Sequence, residues 1–218
     1  MRTRDLIIQQ LEKQGAVAVV RLSDPDAVGW VADTLIGEGM HALEITLTVP
    51  GAIGQIKELT SRLGDDHLVG AGSVLTAEDA ARAIDAGAAY IVSPATVGEV
   101  IECAASRGVP VMPGCFTPTE ALRAHSMGAD IIKVFPADVV GMPFFKAVLA
   151  PMPHLRLMPT GGVTPENAGD WIRAGAVAVG VGSALLGKGI VAERDTAALQ
   201  ERTRTLLGSV RTAREETT

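Results

Sequence analysis

A short run rich in Val, Ile and Ala, then a small or polar turn, then an amphipathic stretch ending near a glycine recurs eight times along the chain. The apolar runs are AVAVVRL (16–22), HALEITL (41–47), LVGAGSV (68–74), AYIVSP (89–94), VPVMPGC (109–115), DIIKVFP (130–136), RLMPTGG (156–162) and AVAVGVGS (176–183). Their starts lie roughly 20 to 27 residues apart, the length one strand–helix unit needs. The amphipathic stretches carry their own start and stop signals. Thr76 precedes AEDAARAIDAG with Asp79 three positions on, in the pattern of a capping box, and Thr117-Pro118-Thr119-Glu120 opens ALRAHSMG. Thr164-Pro165 predicts a third start, with proline at the first helical position. Gly39, Gly87, Gly128 and Gly175 read as the stops.

Such units with no composition break between them predict one α/β domain over residues 1–218, a (β/α)₈ barrel of the TIM type. Residues 3–14 add a helix before the first strand, and residues 193–214 add one after the last. An open doubly wound sheet uses the same units and is the alternative. It is disfavoured by the count of eight and by the first turns, where Gly70-Ala71-Gly72 falls short of a dinucleotide-type GxGxxG.

Composition narrows the function. Hydrophobic residues make up 47% of the chain but aromatics only 3%, so the core is built of small and branched side chains. A net charge of −6 and the shortage of stacking rings argue against nucleic acid as a partner. Charge-free stretches such as 174–187 fall short of the ~18 residues that a membrane-spanning helix needs. The N-terminal segment is charged throughout, unlike a signal peptide. Cys103 and Cys115 lack metal or disulfide spacing. The four histidines offer no ligand pair either, so no metal site is expected. A soluble, cytoplasmic globular domain fits these limits.

In a parallel barrel, chemistry gathers at the C-terminal strand ends. Those ends supply Arg21, Glu44 with Thr46 and Thr48, Ser73, Pro94, Lys133 with Phe135, Thr160-Gly161-Gly162 and Gly182-Ser183. Lys133 lies inside Ile131-Ile132-Lys133-Val134-Phe135, a run suited to burial on both faces. Burying an ammonium is costly, which favours the neutral amine that a Schiff-base nucleophile requires. Glu44 is likewise a charge within an apolar strand, and alternation puts it on one face with Thr46 and Thr48. It suits the acid/base partner of imine chemistry. The blander reading is a buried structural ion pair. Arg21 at the barrel mouth suits a substrate carboxylate or phosphate, or simply solvent. The two glycine-rich turns after the seventh and eighth runs suit backbone N–H capture of phosphate, or plain turn-making. Cys115 reads as a packing residue.

Read in order, Ala-Val-Val-Arg (18–21), Leu-Glu-Ile-Thr (43–46), Gly-Ala-Gly-Ser (70–73), Ile-Val-Ser-Pro (91–94), Met-Pro-Gly (112–114), Ile-Lys-Val-Phe-Pro-Ala (132–137), Pro-Thr-Gly-Gly-Val (159–163) and Val-Gly-Ser (181–183) resemble the 2-dehydro-3-deoxy-phosphogluconate aldolases, also called KDPG/KHG aldolases. The resemblance runs over about residues 14–190. It implies a class I aldolase on a TIM barrel, needing no cofactor, in general a homotrimer, acting in sugar-acid breakdown of the Entner–Doudoroff type. The substrate would be a 2-keto-3-deoxy sugar-acid phosphate, and pyruvate a product. By the same resemblance Lys133 is the Schiff-base lysine and Glu44 the acid/base. Ser73 stands where relatives usually have Thr against the pyruvyl carboxylate, Pro94 and Phe135 border the ketoacid, and Thr160 bears on stereochemistry. Gly161, Gly162, Gly182 and Ser183 form the phosphate loops. One departure concerns Thr48, where part of the family has a substrate-holding Arg. Members with Thr there carry an Arg at the end of strand one, as Arg21 does here.

The leading substrate is 2-dehydro-3-deoxy-6-phosphogluconate, with 4-hydroxy-2-oxoglutarate and 2-dehydro-3-deoxy-6-phosphogalactonate as alternatives. Outside this class stand a phosphate-binding isomerase or epimerase, with Lys133 purely electrostatic, and a sugar-phosphate-binding barrel without activity. Only the aldolases require covalent capture of the substrate.

Overall fold

Strand alternation sorts the apolar side chains into two cores. In a computed structural model describing residues 3–216, the segments Ala16–Val20 (β1), Ala42–Thr46 (β2) and Leu68–Gly72 (β3) are buried at every position. They send Ala16, Ala18, Val20, Leu43, Ile45, Val69 and Ala71 outward against the helices. They send Val17, Ala42 and Leu68 inward, to meet Tyr90, Met112, Ile131, Met158 and Ala178. Small residues let both layers close.

The remaining strands are short: Ile91–Val92 (β4), Val111–Met112 (β5), Gly114–Cys115 (β6), Ile132–Val134 (β7), Leu157–Pro159 (β8) and Val179–Val181 (β9). All pairings are parallel. A six-stranded sheet of order β5-β4-β3-β2-β1-β9 curls as a half-barrel, and β6-β7-β8 form a second sheet. The run VPVMPGC is therefore two strands where the sequence suggests one. Pro113 has no N–H to contribute to a ladder. Val111–Met112 pair with β4 and Gly114–Cys115 with β7, while the Pro113 carbonyl accepts from the Lys133 amide at 3.0 Å.

Helices follow the strands: Ala27–Gly37 (α2), Ala52–Leu63 (α3), Ala77–Asp85 (α4), Gly98–Ser106 (α5), Pro118–Ser126 (α6), Ala137–Leu149 (α7), Ala168–Arg173 (α8), Ser183–Leu186 (α9), Lys188–Glu193 (α10) and Thr196–Glu215 (α11). The helix α1 (Arg4–Gln14) precedes β1. The box expected at Thr76 is half formed, with Thr76 accepting from the Asp79 amide at α4, whereas the full reciprocal box joins Thr117 and Glu120 at α6. Glu120 is held below the usual carboxylate range by the Phe116 amide and then by the Thr117 hydroxyl. Two expectations shift. At Thr164-Pro165 the Thr164 and Asn167 side chains accept from each other's amides, the reciprocal pattern of a helix start, but residues 165–167 form a turn and α8 itself begins at Ala168. The C-terminal helix begins at Thr196, behind an Asp195 cap, with α9 and α10 before it.

The helix α1 covers the N-terminal ends of the strands, with Ile7 and Leu11 joining the inner core. Arg4 binds Asp130 at 2.9 Å, and Asp130 also accepts from the Val111 amide, so the approach to the Lys133 strand is tied down from two sides. Leu11 is fully buried. Leu11→Ala is expected to cost about 2–5 kcal/mol and to lower Tm by several degrees in a thermal melt.

Candidate active site

Lys133 on β7 and Glu44 on β2 both point inward, at 4% and 0% exposure, with Nζ and Oε1 3.8 Å apart. Neither Glu44 oxygen accepts a hydrogen bond from a described residue. The pair faces its neighbours through glycines. A Cβ added at Gly72 would lie 2.0 Å from Glu44 Oε1, and one at Gly70 would lie 2.2 Å from the Tyr90 ring. Both glycines are thus gaps reserved for a side chain from an adjoining strand, a reason invisible in the sequence. The Phe135 ring centroid lies 5.5 Å from Lys133 Nζ, so one face of the amine is apolar and aromatic.

At the strand ends opens a cavity of about 1090 Å³, lined by Arg21, Thr48, Phe135, Thr160, Gly161, Gly162, Gly182 and Ser183 among others; Lys133 and Glu44 do not line it, and Phe135 links it to the pair. Gly161 and Gly162 turn the chain after β8 with φ of 94° and 69°, a left-handed backbone that a side chain strains. A Cβ at Gly162 would also meet the Asp138 side chain at 2.4 Å. Arg21 reaches Ser73 Oγ at 3.2 Å, joining the ends of β1 and β3. Thr48 bonds Thr46 at 2.8 Å, and Thr46 donates to the Val20 carbonyl. Thr160 Oγ1 is buried without a hydrogen-bond partner among the described residues and would collide with a Cβ at Gly180. Gly114 passes so near the Pro94 carbonyl that a Cβ there would lie at 2.1 Å. Pro94 and Ser73 are not in the cavity wall itself; Ser73 bears on it through Arg21. Lys188 also lines the cavity, a cation that sequence reading passed over because it falls in a loop-to-helix segment.

Other reactive side chains lie elsewhere. Burial, and then the charge of Glu120, push the Cys115 thiol up to about 12, consistent with a packing role. His41 stacks near His67 at 5.0 Å, and burial followed by His67 lowers it from its ordinary value. A smaller cavity of about 610 Å³, lined by His41, Asp66 and Arg214, lies at the opposite end near α1 and α11. Among the described residues no cluster of three or more His, Cys, Asp and Glu could hold a metal ion, and no helix is long and apolar enough to cross a membrane.

With an amine and a carboxylate enclosed side by side and a glycine-rimmed cavity at the strand ends, the chain compares closely with enzymes that make and break carbon–carbon bonds: it is an aldolase, a carbon–carbon lyase. The sequence profile described as KDPG and KHG aldolase matches residues 7–202, and the chain belongs to that family. It is 37% identical over 188 residues to the 2-dehydro-3-deoxy-6-phosphogalactonate aldolase of Escherichia coli (strain K12), covering 86% of this chain and 92% of that one. It is 35% identical over 179 residues to the 2-dehydro-3-deoxy-phosphogluconate aldolase of Pseudomonas aeruginosa, covering 81% and 80%. Among solved structures, the KDPG aldolase of Legionella pneumophila with pyruvate captured as a covalent carbinolamine superposes with a TM-score of 0.85 at 25% identity, over 92% of this chain and 97% of that one.

Proposed function

We propose that the chain is a class I aldolase that cleaves 2-dehydro-3-deoxy-6-phosphogluconate to pyruvate and glyceraldehyde 3-phosphate. The observation that carries this reading is the enclosed Lys133–Glu44 pair, 3.8 Å apart, with Phe135 standing between Lys133 and the large cavity that it lines. The Lys133 amine, unprotonated, adds to the C2 ketone; the carbinolamine hydroxyl takes up a proton from solvent and leaves as water, giving an iminium. Glu44 takes the C4 hydroxyl proton as the C3–C4 bond breaks, and its electron pair enters the iminium to give an enamine. The aldehyde leaves; protonation at C3 and hydrolysis then release pyruvate and regenerate the amine. Arg21 and Ser73 hold the carboxylate end, with Pro94 and Phe135 against the ketoacid and Thr48 and Thr160 along the chain of hydroxyls. The amides of Gly161, Gly162, Gly182 and Ser183 receive the phosphate. No metal or organic cofactor enters these steps.

A second reading, cleavage of the phosphogalactonate epimer, is favoured by the 37% identity to relatives so named in both Escherichia coli and Rhizobium meliloti. The two sugar acids differ in configuration at C4, the carbon whose hydroxyl Glu44 would deprotonate.

We also read the two sheets as arcs of one closed eight-position barrel. Thr160 bridges Gly180 in parallel register, and β5 and β6 are joined through the single residue Pro113. A homotrimer fits the exposure of Phe116, Leu122, Met127 and Val139, large apolar side chains on one stretch of the chain. The free cysteines fit a cytoplasmic setting.

Borohydride reduction in the presence of pyruvate tests the chemistry. The expected result is one reduced pyruvate adduct that maps to Lys133. No adduct, or one on Lys57 or Lys146, would overturn the aldolase reading in favour of an isomerase or a binding protein. Comparing kcat/KM for the two C4 epimers and for 4-hydroxy-2-oxoglutarate then assigns the substrate.

A further inference from the structure

Tyr90 is the only tyrosine in the chain, it is fully buried, and its hydroxyl has no hydrogen-bond partner among the described residues. A phenol O–H shut away from water is costly unless an acceptor is near. The acceptor in shortest supply of donors is Glu44, whose two oxygens are equally buried and equally without one. Strand register brings the two groups together. Glu44 on β2 lies beside Gly70 on β3, and Ala71 lies beside Ile91 on β4. One step back along the last two strands sets Tyr90 beside Gly70, and Glu44, Gly70 and Tyr90 run side by side toward the lumen. Because Gly70 has no side chain, the Tyr90 ring occupies its space, with ring carbons 2.2–2.4 Å from where a Cβ would stand. Gly72 opens the matching space for the carboxylate.

We propose that Tyr90 is a positioning residue, its phenol O–H donating through one intervening water to the Glu44 carboxylate and fixing that carboxylate toward Lys133. The proposal rests on the Schiff-base reading and refines it. A bridging water in a polar, enclosed space bonds nearly as well as a direct contact and suits a group that must both hold and pass a proton. Burial, and after it the charge of Glu44, push the phenol well above the ordinary tyrosine range, so it remains a donor across the working range of pH. The titratable groups facing Glu44 are Lys133 from β7 and Tyr90, which immediately precedes β4. Val19 on β1, in register with Glu44, and Gly70 and Gly72 on β3 do not titrate, and Arg21 stands at the mouth.

Tyr90→Phe removes only the hydroxyl. The expected result is a kcat lower by about tenfold with KM within about twofold, the scale of one lost hydrogen bond to a charged group. A hydrogen bond to the ionised carboxylate favours that form, so its loss should move the acid limb of the kcat–pH profile to higher pH by about half to one unit. Exchange of the pyruvate methyl protons with solvent deuterium should slow in parallel, while the borohydride adduct on Lys133 forms as in the parent. An unchanged acid limb and exchange rate would overturn the proposal, as would a gain in Tm, which marks a hydroxyl buried without a partner. Ultraviolet titration adds a readout independent of turnover, since every tyrosinate signal belongs to Tyr90. In Glu44→Gln the signal should appear at lower pH than in the parent, and an unmoved titration would overturn the coupling. Failure of the parent to form any adduct would instead sink the Schiff-base reading and leave the titration to judge Tyr90 by itself.

Discussion

Lys133→Met is expected to abolish turnover, lowering kcat by at least about 10⁴ and eliminating the borohydride adduct with pyruvate. The size of the effect follows from the chemistry the amine would supply. A ketone is a poor sink for the electrons of a breaking C3–C4 bond, whereas an iminium is a good one, and no other lysine is enclosed with a carboxylate. Methionine keeps the length and apolar stem of the side chain, so loss of packing contributes little. It does leave Glu44 buried opposite an uncharged group, and breaking a buried pair by removing one partner costs about 3–5 kcal/mol. Stability must therefore be separated from catalysis. Combining Lys133→Met with Glu44→Gln removes the stranded charge, and the double variant should melt nearer the parent while remaining inactive. If either variant turned over substrate at more than about a hundredth of the parental rate, covalent catalysis through Lys133 would be excluded.

How far the sequence exposes this site depends on the kind of information each residue carries. Lys133 and Glu44 are conspicuous because a charge inside a Val/Ile run violates the ordinary pattern, and a period of two assigns their faces without any knowledge of neighbours. The structure places both inward and 3.8 Å apart. Gly161, Gly162 and Ser183 are readable for a related reason: glycine clusters at the strand ends mark turns that side chains would obstruct. Tyr90, Gly70 and Gly72 were not readable as site residues. Tyr90 looks like one more apolar strand residue, and the glycines look like a failed dinucleotide motif. Their meaning lies across the strands: the Tyr90 ring lies over Gly70, and the Glu44 side chain, from a backbone position in register with Gly70, leans over Gly72. No spacing within one segment encodes that. The break at Pro113 shows the opposite limit. The residue is plainly a ladder breaker, but that it would divide one run between two sheets depends on which strands stand to either side.

Glu44→Gln is expected to lower kcat by about 10²–10⁴ while preserving imine formation with pyruvate. Glutamine matches the carboxylate in shape and keeps an oxygen near the Lys133 amine, but it cannot accept and return a proton. Chemistry should therefore divide: borohydride still traps Lys133, whereas solvent exchange of the pyruvate methyl protons falls with kcat, because the same group would serve C3 protonation and C4 deprotonation. If exchange persisted at the parental rate, the base would be another residue and Glu44 a structural counter-ion. Gly72→Ala offers a test that leaves every reactive atom in place. Its methyl would sit 2.0 Å from Glu44 Oε1 and must push the carboxylate aside, with backbone geometry otherwise tolerant because Gly72 has no positive φ. The same separation of trapping from exchange is expected there. Its appearance in both variants would tie the proton transfers to the position of the Glu44 carboxylate, since only the first variant alters its chemistry.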